Sequence, residues 1–531
     1  MTLRRLVTLL LLVAVVLLPF NYGVGENVNP TGYPVVDEPI TIHIAVKRDV
    51  NTDRKSLNDI EYLQEINERT GVHVIWDEYS STEYAEKINL MFVGGSVPDA
   101  FFGEGLNDMD ILSNLDYFIP LNDLIENYAP NIQACFEKEP EIRKVITSAD
   151  GNIYSLFRVR QSYFPNTLDM MAINQKWLDR LELSMPTTTE EFYEVLKAFK
   201  EKDPNGNGLQ DEIPLINMHQ MGNTNISEAW VFPCFGVYDN TSYSELTYHL
   251  MMQDGKTLFT PAQEGYKEAL RYLNRLYSEG LLDQEIFTTT PDVVTAKLMD
   301  TNDIVGTFCA WTISNGVGYD RMDDFTQLLP LEGPNGDKGW TVISDIEIGR
   351  NMFAITSSNP YPEATMRWID EFYSLDTTIQ TFYGPYGIMT EKQDDGTVIA
   401  FEPPEGTTYG TWRWGNTPAD SACYACFKEI EDFLTPAKQQ YDRAVYQDAI
   451  EEWLQPEENR YPNLSFTIEQ IDELKTLVPD LNTFVETKRA KFVTEGFTDS
   501  DWDEYLQQLN AMGLERALEI WDAAYSNYNG V

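Results

Sequence analysis

The chain has 531 residues, with 38 basic side chains against 85 acidic ones and a formal net charge of −47. That length is ample for more than one hydrophobic core and predicts two to four domains or lobes. The charge excludes nucleic acid and anionic membrane surfaces as partners and predicts a soluble monomer whose copies repel, while 12% aromatic residues exclude a disordered acidic tail.

The chain opens with a secretory pattern. Arg4 and Arg5 precede an apolar run over residues 6–20, and Gly23, Val24 and Gly25 supply small residues before Glu26. The run is short for a membrane span, so residues 1–25 are expected to be a signal peptide, with retention as an anchor as the alternative. No cysteine precedes Cys135, so a lipid-anchored cysteine is not available at this cut. The five cysteines do not make a disulfide scaffold. Cys423 and Cys426 form a lone C-x-x-C, which fits a redox pair, half a zinc site or two packed thiols.

Strand and helix patterns then alternate. Apolar residues at Ile40, Ile42, Ile44 and Val46 predict a strand. Ile60, Leu63 and Ile66 predict a helix that stops at Gly71, followed by the strand "VHVIWDEY". A second helix over residues 82–93 leads to a third strand over 98–103. Strand, helix, strand, helix, strand at this spacing implies right-handed crossovers and a parallel sheet. A second cycle starts with a strand over 170–173. In "PTTTEEFYEVLKAFKEK", Thr187 and Glu190 match a capping box, and Phe192, Val195, Leu196 and Phe199 form one stripe. "NMFAITSSNPYPEATMRWIDEFYS" reads strand, turn, helix, and the closing segment from Asp499 is helical, with Trp502, Tyr505, Leu506 and Leu509 on one face.

The stretch "KDPNGNGLQDEIPL" carries the clearest chemistry. Asp203, Asn205, Asn207 and Asp211 offer oxygens at alternating positions, Glu212 adds a carboxylate, and Leu209 offers its carbonyl. Gly206 and Gly208 allow the tight curl. Oxygen donors in this pattern suit Ca2+, and magnesium suits it less. The first half matches an EF-hand loop; the second departs, with Pro214 where the bidentate Glu belongs. A solvated turn rich in Asn, Asp and Gly has the same composition.

Ligands of open α/β sheets gather beyond the carboxyl ends of the strands. That rule selects Lys47 and Arg48 after the first strand, Glu78 and Tyr79 after the second, Glu104 after the third, and Trp311 in the second half. Trp412, Arg413 and Trp414 lie in a further aromatic segment. Tryptophan faces with charged neighbours suit a sugar ring and its hydroxyls. A uronic acid would call on extra cations such as Arg48, Arg350 or Arg413.

Four segments, "DGNIYSL", residues 172–215, "SNPYPEATMRWIDEFY" and the closing helices, resemble the family 1 extracellular solute-binding proteins, and more narrowly their oligosaccharide- and alginate-oligosaccharide-binding members. The resemblance spans about residues 36–531. It implies an α/β fold like that of type II periplasmic-binding proteins, with two lobes of parallel or mixed sheets joined by a multi-strand hinge. Lobe 1 is expected over 36–162 and 347–412, and lobe 2 over 163–346 and 413–531, with crossings near 159–166, 346–352 and 407–419. It also implies an ABC importer whose membrane permease is the partner, an extracellular location, and structural Ca2+ at Asp203, Asn205, Asn207, Leu209, Asp211 and Glu212. No H-E-x-x-H, G-x-S-x-G or Walker loop occurs, and the four histidines are scattered. A non-enzymatic receptor is therefore expected, with a secreted glycoside hydrolase and a ligand-binding partner of a membrane sensor as the alternatives.

Overall fold

Alternate burial along Ile40–Arg48 sets the first layer: Ile40, Ile42 and Ile44 point into one core while Thr41 and His43 face out. This strand lies parallel to Val72–Ser80 on one side and to Ala100–Phe102 on the other. The helices Glu61–Thr70 and Tyr84–Gly94 make the crossovers, as the sequence predicts. Gly71 ends the first of them in the left-handed region at φ +77°, its amide donating to the Asn67 carbonyl at 2.9 Å. The computed structural model describes residues 28–48, 56–148, 150–219, 227–241, 244–418, 421–464 and 466–528. The expected signal peptide lies outside the described residues. Among these residues no helix is long and apolar enough to cross a membrane.

The first sheet has six strands, in the order Ala425–Cys426, Leu156–Arg160, Glu347–Ile355, Ala100–Phe102, Ile40–Arg48 and Val72–Ser80. Glu347–Ile355 runs antiparallel to both of its neighbours. One continuous core forms beneath, with Trp368 and Phe372 packed against Phe102 and Phe353.

A second sheet of four strands has its own core. Its order is Phe325–Leu328, Met170–Asn174, Val305–Ala310 and Ile213–Ile216. Only the last two are parallel; Met170–Asn174 is antiparallel to both of its partners. The second cycle is therefore mixed rather than parallel, because the chain enters this lobe directly from the hinge and its first strand runs opposite to the strands that return by crossover. The stripe Phe192, Val195, Leu196 and Phe199 of the helix Thr189–Glu201 is fully used here. Phe199 sits edge-on to Trp177 at 5.1 Å, and Phe192 edge-on to Trp230 at 5.5 Å. The N-cap is Thr188, one residue later than expected: its side chain accepts from the Glu191 amide, and the Glu191 carboxylate accepts from the Thr187 amide at 2.8 Å. The closing helices Ile468–Glu495, Asp499–Ala511 and Leu514–Tyr528 complete this core with Val485, Trp502, Tyr505 and Trp521.

The chain passes between lobes through Asn166–Thr167, which pairs antiparallel with Val342–Ser344. The third passage differs from the expectation. Ala422, Tyr424, Phe427 and Leu434 pack in the first core, and Ala425–Cys426 pairs with Leu156–Arg160 as an edge strand. The chain stays with the first lobe through Leu434 and joins the second core at Tyr446. A two-residue strand carries no periodicity, so nothing local marks it. Cys423 and Cys426 are buried free thiols, and burial pushes each up to about 12. They are packed groups rather than reactive ones.

Candidate functional site

Two strands carry the first lobe's contribution. In Leu156–Arg160, the alternation that buries Phe157 and Val159 turns Arg158 and Arg160 to the other face. Arg158 lies opposite Gly349, where an added Cβ would stand 3.0 Å from its Cγ. Glycine lets the long side chain lie flat across the neighbouring strand. Its guanidinium bridges Glu104 at 2.6 Å and Glu347 at 2.9 Å. Arg160 stands 4.0 Å from the same Glu347. Between Gly349 and Phe353 the pairing register slips, and Asn351 adopts φ +61°. The irregularity aims Arg350 and Asn351 at one carboxylate, Asp108, at 2.8 and 2.7 Å. Ser155 donates to Asn351 Oδ1 at 2.8 Å and holds the amide in place.

Facing these groups from the second lobe are Leu246, Asn463, Phe466 and Lys475. The cavity enclosed measures ≈ 650 Å³, and Glu104, Arg158 and Arg350 line its first-lobe side. A volume of several hundred cubic ångströms suits a drug-sized or small-oligomer ligand. An apolar recess of ≈ 150 Å³ shares Asp108, Arg350, Phe466 and Ile471 with this cavity.

Nearer the hinge, a smaller recess of ≈ 50 Å³ brings Arg160 and Glu347 against Trp311, Asn166 and Gln447. Trp311 follows the strand Val305–Ala310, as expected for a residue beyond a strand's carboxyl end. The Arg443 guanidinium lies 4.2 Å from its ring centroid and that of Arg160 5.0 Å. Arg443 is buried and donates to the Thr167 hydroxyl at 2.8 Å and the Leu168 carbonyl at 3.0 Å. The lobes also touch directly, the Tyr319 hydroxyl donating to Glu402 at 2.8 Å.

Of the residues selected from the sequence, Glu104, Arg350 and Trp311 line these cavities. Lys47 and Arg48 end their strand away from them. Glu78 accepts from the Leu57 amide at 2.8 Å, and Tyr79 packs on Tyr84 at 6.5 Å. Trp412 packs edge-on to Tyr409 at 6.5 Å. Arg413 lies over Phe382 and donates to its carbonyl at 3.2 Å. Trp414 belongs to the same helix, Tyr409–Asn416, and lines none of the three cavities. Arg158, Asp108, Arg443 and Lys475 are functional-site candidates that the strand-end rule misses, and Arg160 ends a strand, Leu156–Arg160, that the sequence reading does not pick out. The pattern "LFRVR", two cations alternating with buried apolar residues, is the signal that points to two of them.

The loop after the helix Thr189–Glu201 folds around Asp203, itself at φ +48°. Its carboxylate accepts from the amides of Gly206, Asn207 and Gly208 at 2.9 to 3.1 Å. Asn205 and Asn207 both turn their amide groups to Asp211, at 3.2 and 3.0 Å. Gly206 and Gly208 sit at φ +74° and +78°, and a Cβ on Gly206 would collide with the Arg180 guanidinium. Glu212 Oε1 is buried without a hydrogen-bond partner. Burial raises the Glu212 carboxyl, and Asp211 and Asp203 raise it further. A buried carboxylate oxygen with no hydrogen-bond partner, within electrostatic reach of Asp211 and Asp203, fits a bound cation. Among the described residues no three His, Cys, Asp or Glu side chains converge as a metal cluster. The remaining donors of this loop are the Leu209 carbonyl and the Asn205 and Asn207 amides, and a half-turn of either amide presents Oδ1 to Asp211's side in place of Nδ2.

Beyond the strand Ile213–Ile216, His219 enters a buried ionic group. Its Nδ1 meets Glu228 at 2.6 Å and its Nε2 meets Glu486. Arg489 binds Glu228 at 3.2 Å and Asp239 at 2.8 Å, and His249 meets Asp239 at 2.8 Å. Burial disfavours the His219 imidazolium, but Glu228 and Glu486 outweigh it and raise the group to about 9. Three carboxylates thus face one guanidinium and two histidine rings. This cluster is structural: Arg489 already satisfies the charges a ligand would need.

The model of the bacterial extracellular solute-binding proteins matches residues 55–377. The fructooligosaccharide ABC transporter substrate-binding protein FusA of Streptococcus pneumoniae serotype 4 is 31% identical over 491 residues, 89% of this chain and 88% of that one. A solved structure of the S. pneumoniae FusA EF-hand mutant in complex with fructo-nystose superposes with a TM-score of 0.81 at 29% identity, covering 92% of this chain and 100% of the other. The polygalacturonan/rhamnogalacturonan-binding protein YtcQ of Bacillus subtilis is 22% identical over 491 residues, 89% of this chain and 88% of that one. These relatives are binding proteins, not catalysts, and the fold is the two-lobed type II periplasmic-binding-protein architecture. The chain belongs to the bacterial extracellular solute-binding protein family.

Proposed function

We propose that this protein is the extracellular receptor of an ABC importer, capturing an oligosaccharide between its lobes and delivering it to a membrane permease. The observation that carries the reading is the cavity of ≈ 650 Å³, with Glu104, Asp108, Arg158 and Arg350 set among apolar side chains, between two separately cored lobes that are joined by paired strands. Such an arrangement closes on a ligand by hinge motion, with the differential contacts of the closed state setting the affinity. Arg158, Arg350, Glu104 and Asp108 supply forked donors and acceptors for hydroxyl groups, and Trp311 supplies an aromatic face. The 31% identity to FusA supports a saccharide ligand.

Asp203, Asn205, Asn207, Asp211, Glu212 and the Leu209 carbonyl would hold a calcium ion in the second lobe, and its charge offsets the carboxylates gathered there. The EF-hand mutant made of FusA supports a loop of this kind in a relative. The role of the loop is to stiffen the end of the helix Thr189–Glu201 rather than to touch the ligand. The receptor acts as a monomer at the outer face of the membrane, kept apart from its copies by its charge.

Isothermal titration with kestose, nystose and other tri- and tetrasaccharides tests the reading. Saturable 1:1 binding with the sugar recovered intact is expected. Steady cleavage of any of them, or heat from none of them, rejects it.

A further inference from the structure

The relatives leave the charge of the ligand open, since FusA is named for a neutral fructan and YtcQ for acidic pectins. The cleft itself speaks to this. Its cations are already engaged by carboxylates of the same wall. Arg158 bridges Glu104 and Glu347, Arg350 is bound by Asp108, and Arg160 leans toward Glu347. The remaining cation of the lining, Lys475, is exposed and acts on Asp110. On the acidic side, Glu245 and Asp345 add two carboxylates to Glu104, Asp108 and Glu347.

We infer that the cleft is built for an uncharged glycan and discriminates against uronates. The inference rests on the receptor reading above. Five carboxylates against four cations line the two interlobe cavities, and Asp345 is held by Arg460 in addition, so the lining offers a ligand carboxylate no excess of guanidinium over acid. That carboxylate must either displace Asp108 or Glu347 from its guanidinium, leaving that acid unpaired in a closing cleft, or settle for the exposed ammonium of Lys475, where solvent weakens the pair. The first outcome costs the desolvation of a charge, and the second returns little. A hydroxyl makes no such demand. Arg158 and Glu104, held 2.6 Å apart, present a donor fork and an acceptor side by side, which is what a vicinal diol requires. The net charge of −47 adds a long-range repulsion of anions from the whole surface. Arg413, the other guanidinium considered for a uronate, is turned to the Phe382 carbonyl.

Competition at matched length tests this. Kestose, maltotriose, xylotriose and trigalacturonate are titrated into the calcium-loaded full-length mature protein at one ionic strength. At least one neutral trisaccharide is expected to bind at least 10-fold tighter than trigalacturonate. Equal or tighter binding of trigalacturonate overturns the inference while leaving the receptor reading intact. Binding of no saccharide overturns the receptor reading and the inference with it. Asp108→Asn, which releases Arg350, is expected to improve trigalacturonate binding at least 3-fold. Glu104→Gln tests the same point at Arg158 should the first variant fold poorly. Failure of both to improve acidic binding also overturns it.

Discussion

Arg443 lies 4.2 Å from the Trp311 ring centroid, and three hydrogen bonds to Thr167 and Leu168 hold it there. The pair ties a residue at the end of a second-lobe strand to the hinge strand Asn166–Thr167. Hinge and candidate sugar platform thus share one buried cation, so ring orientation follows the hinge.

Replacing Trp311 with Ala is expected to weaken oligosaccharide binding by 10- to 100-fold, as loss of a central aromatic anchor does, about 1.4 to 2.8 kcal/mol. Trp311→Phe should recover part of it. Calorimetry against the best-bound trisaccharide measures both. An unchanged affinity in Trp311→Ala removes this ring from the site.

Calcium is expected to raise thermal stability, by roughly 2.7 kcal/mol at a hundredfold excess over its Kd. Asp203→Ala should lose the calcium response and melt below the chelated parent, because three backbone amides also lose their acceptor. Glu212→Gln separates charge from shape. Burial and two neighbouring acids raise the Glu212 carboxyl, so its ionised form disfavours the metal-free fold above the ordinary carboxylate range. The chelated variant should therefore melt higher than the chelated parent, and calcium should move it less. A chelator that leaves the parent's melting temperature unchanged counts against the site.

The buried ionic cluster gives a pH dependence with a definite sign. His219 titrates near 6.5 when unfolded and near 9 when folded, so its contribution is complete below about pH 6.5. That contribution is lost as pH rises through 9. Melting temperature should fall across pH 7 to 9.5, and His219→Asn should flatten the fall. Glu228 and Glu486 face the ring directly, and Arg489 lies against Glu228. A parent whose melting temperature is level over this range contradicts the assignment.

Gly306 occupies the central strand of the second sheet. A Cβ there would stand 2.6 Å from the Phe199 ring and 2.8 Å from the Pro214 carbonyl oxygen. The carbonyl belongs to the paired strand and has nowhere to retreat. Gly306→Ala should cost about 1 to 3 kcal/mol in urea unfolding. Gly208, with open space around its Cβ position but φ +78°, offers a contrast through backbone strain alone.

Reading the chain residue by residue recovers what neighbouring residues determine. The strand Ile40–Arg48, the stripe from Phe192 to Phe199 and the curled loop at Asp203 each show in adjacent residues, because alternation, helical spacing and turn chemistry act within a few positions. Tertiary structure alone decided which charges meet. Glu347 is 189 residues from Arg158, and Asp108 is 243 from Asn351. Those meetings depend on strand register and on the irregularity between Gly349 and Phe353, where a one-residue slip sends a side chain to the opposite face. The direction of Met170–Asn174 and the late third passage likewise follow from where each strand finds an edge to pair with, a property of the assembled sheet.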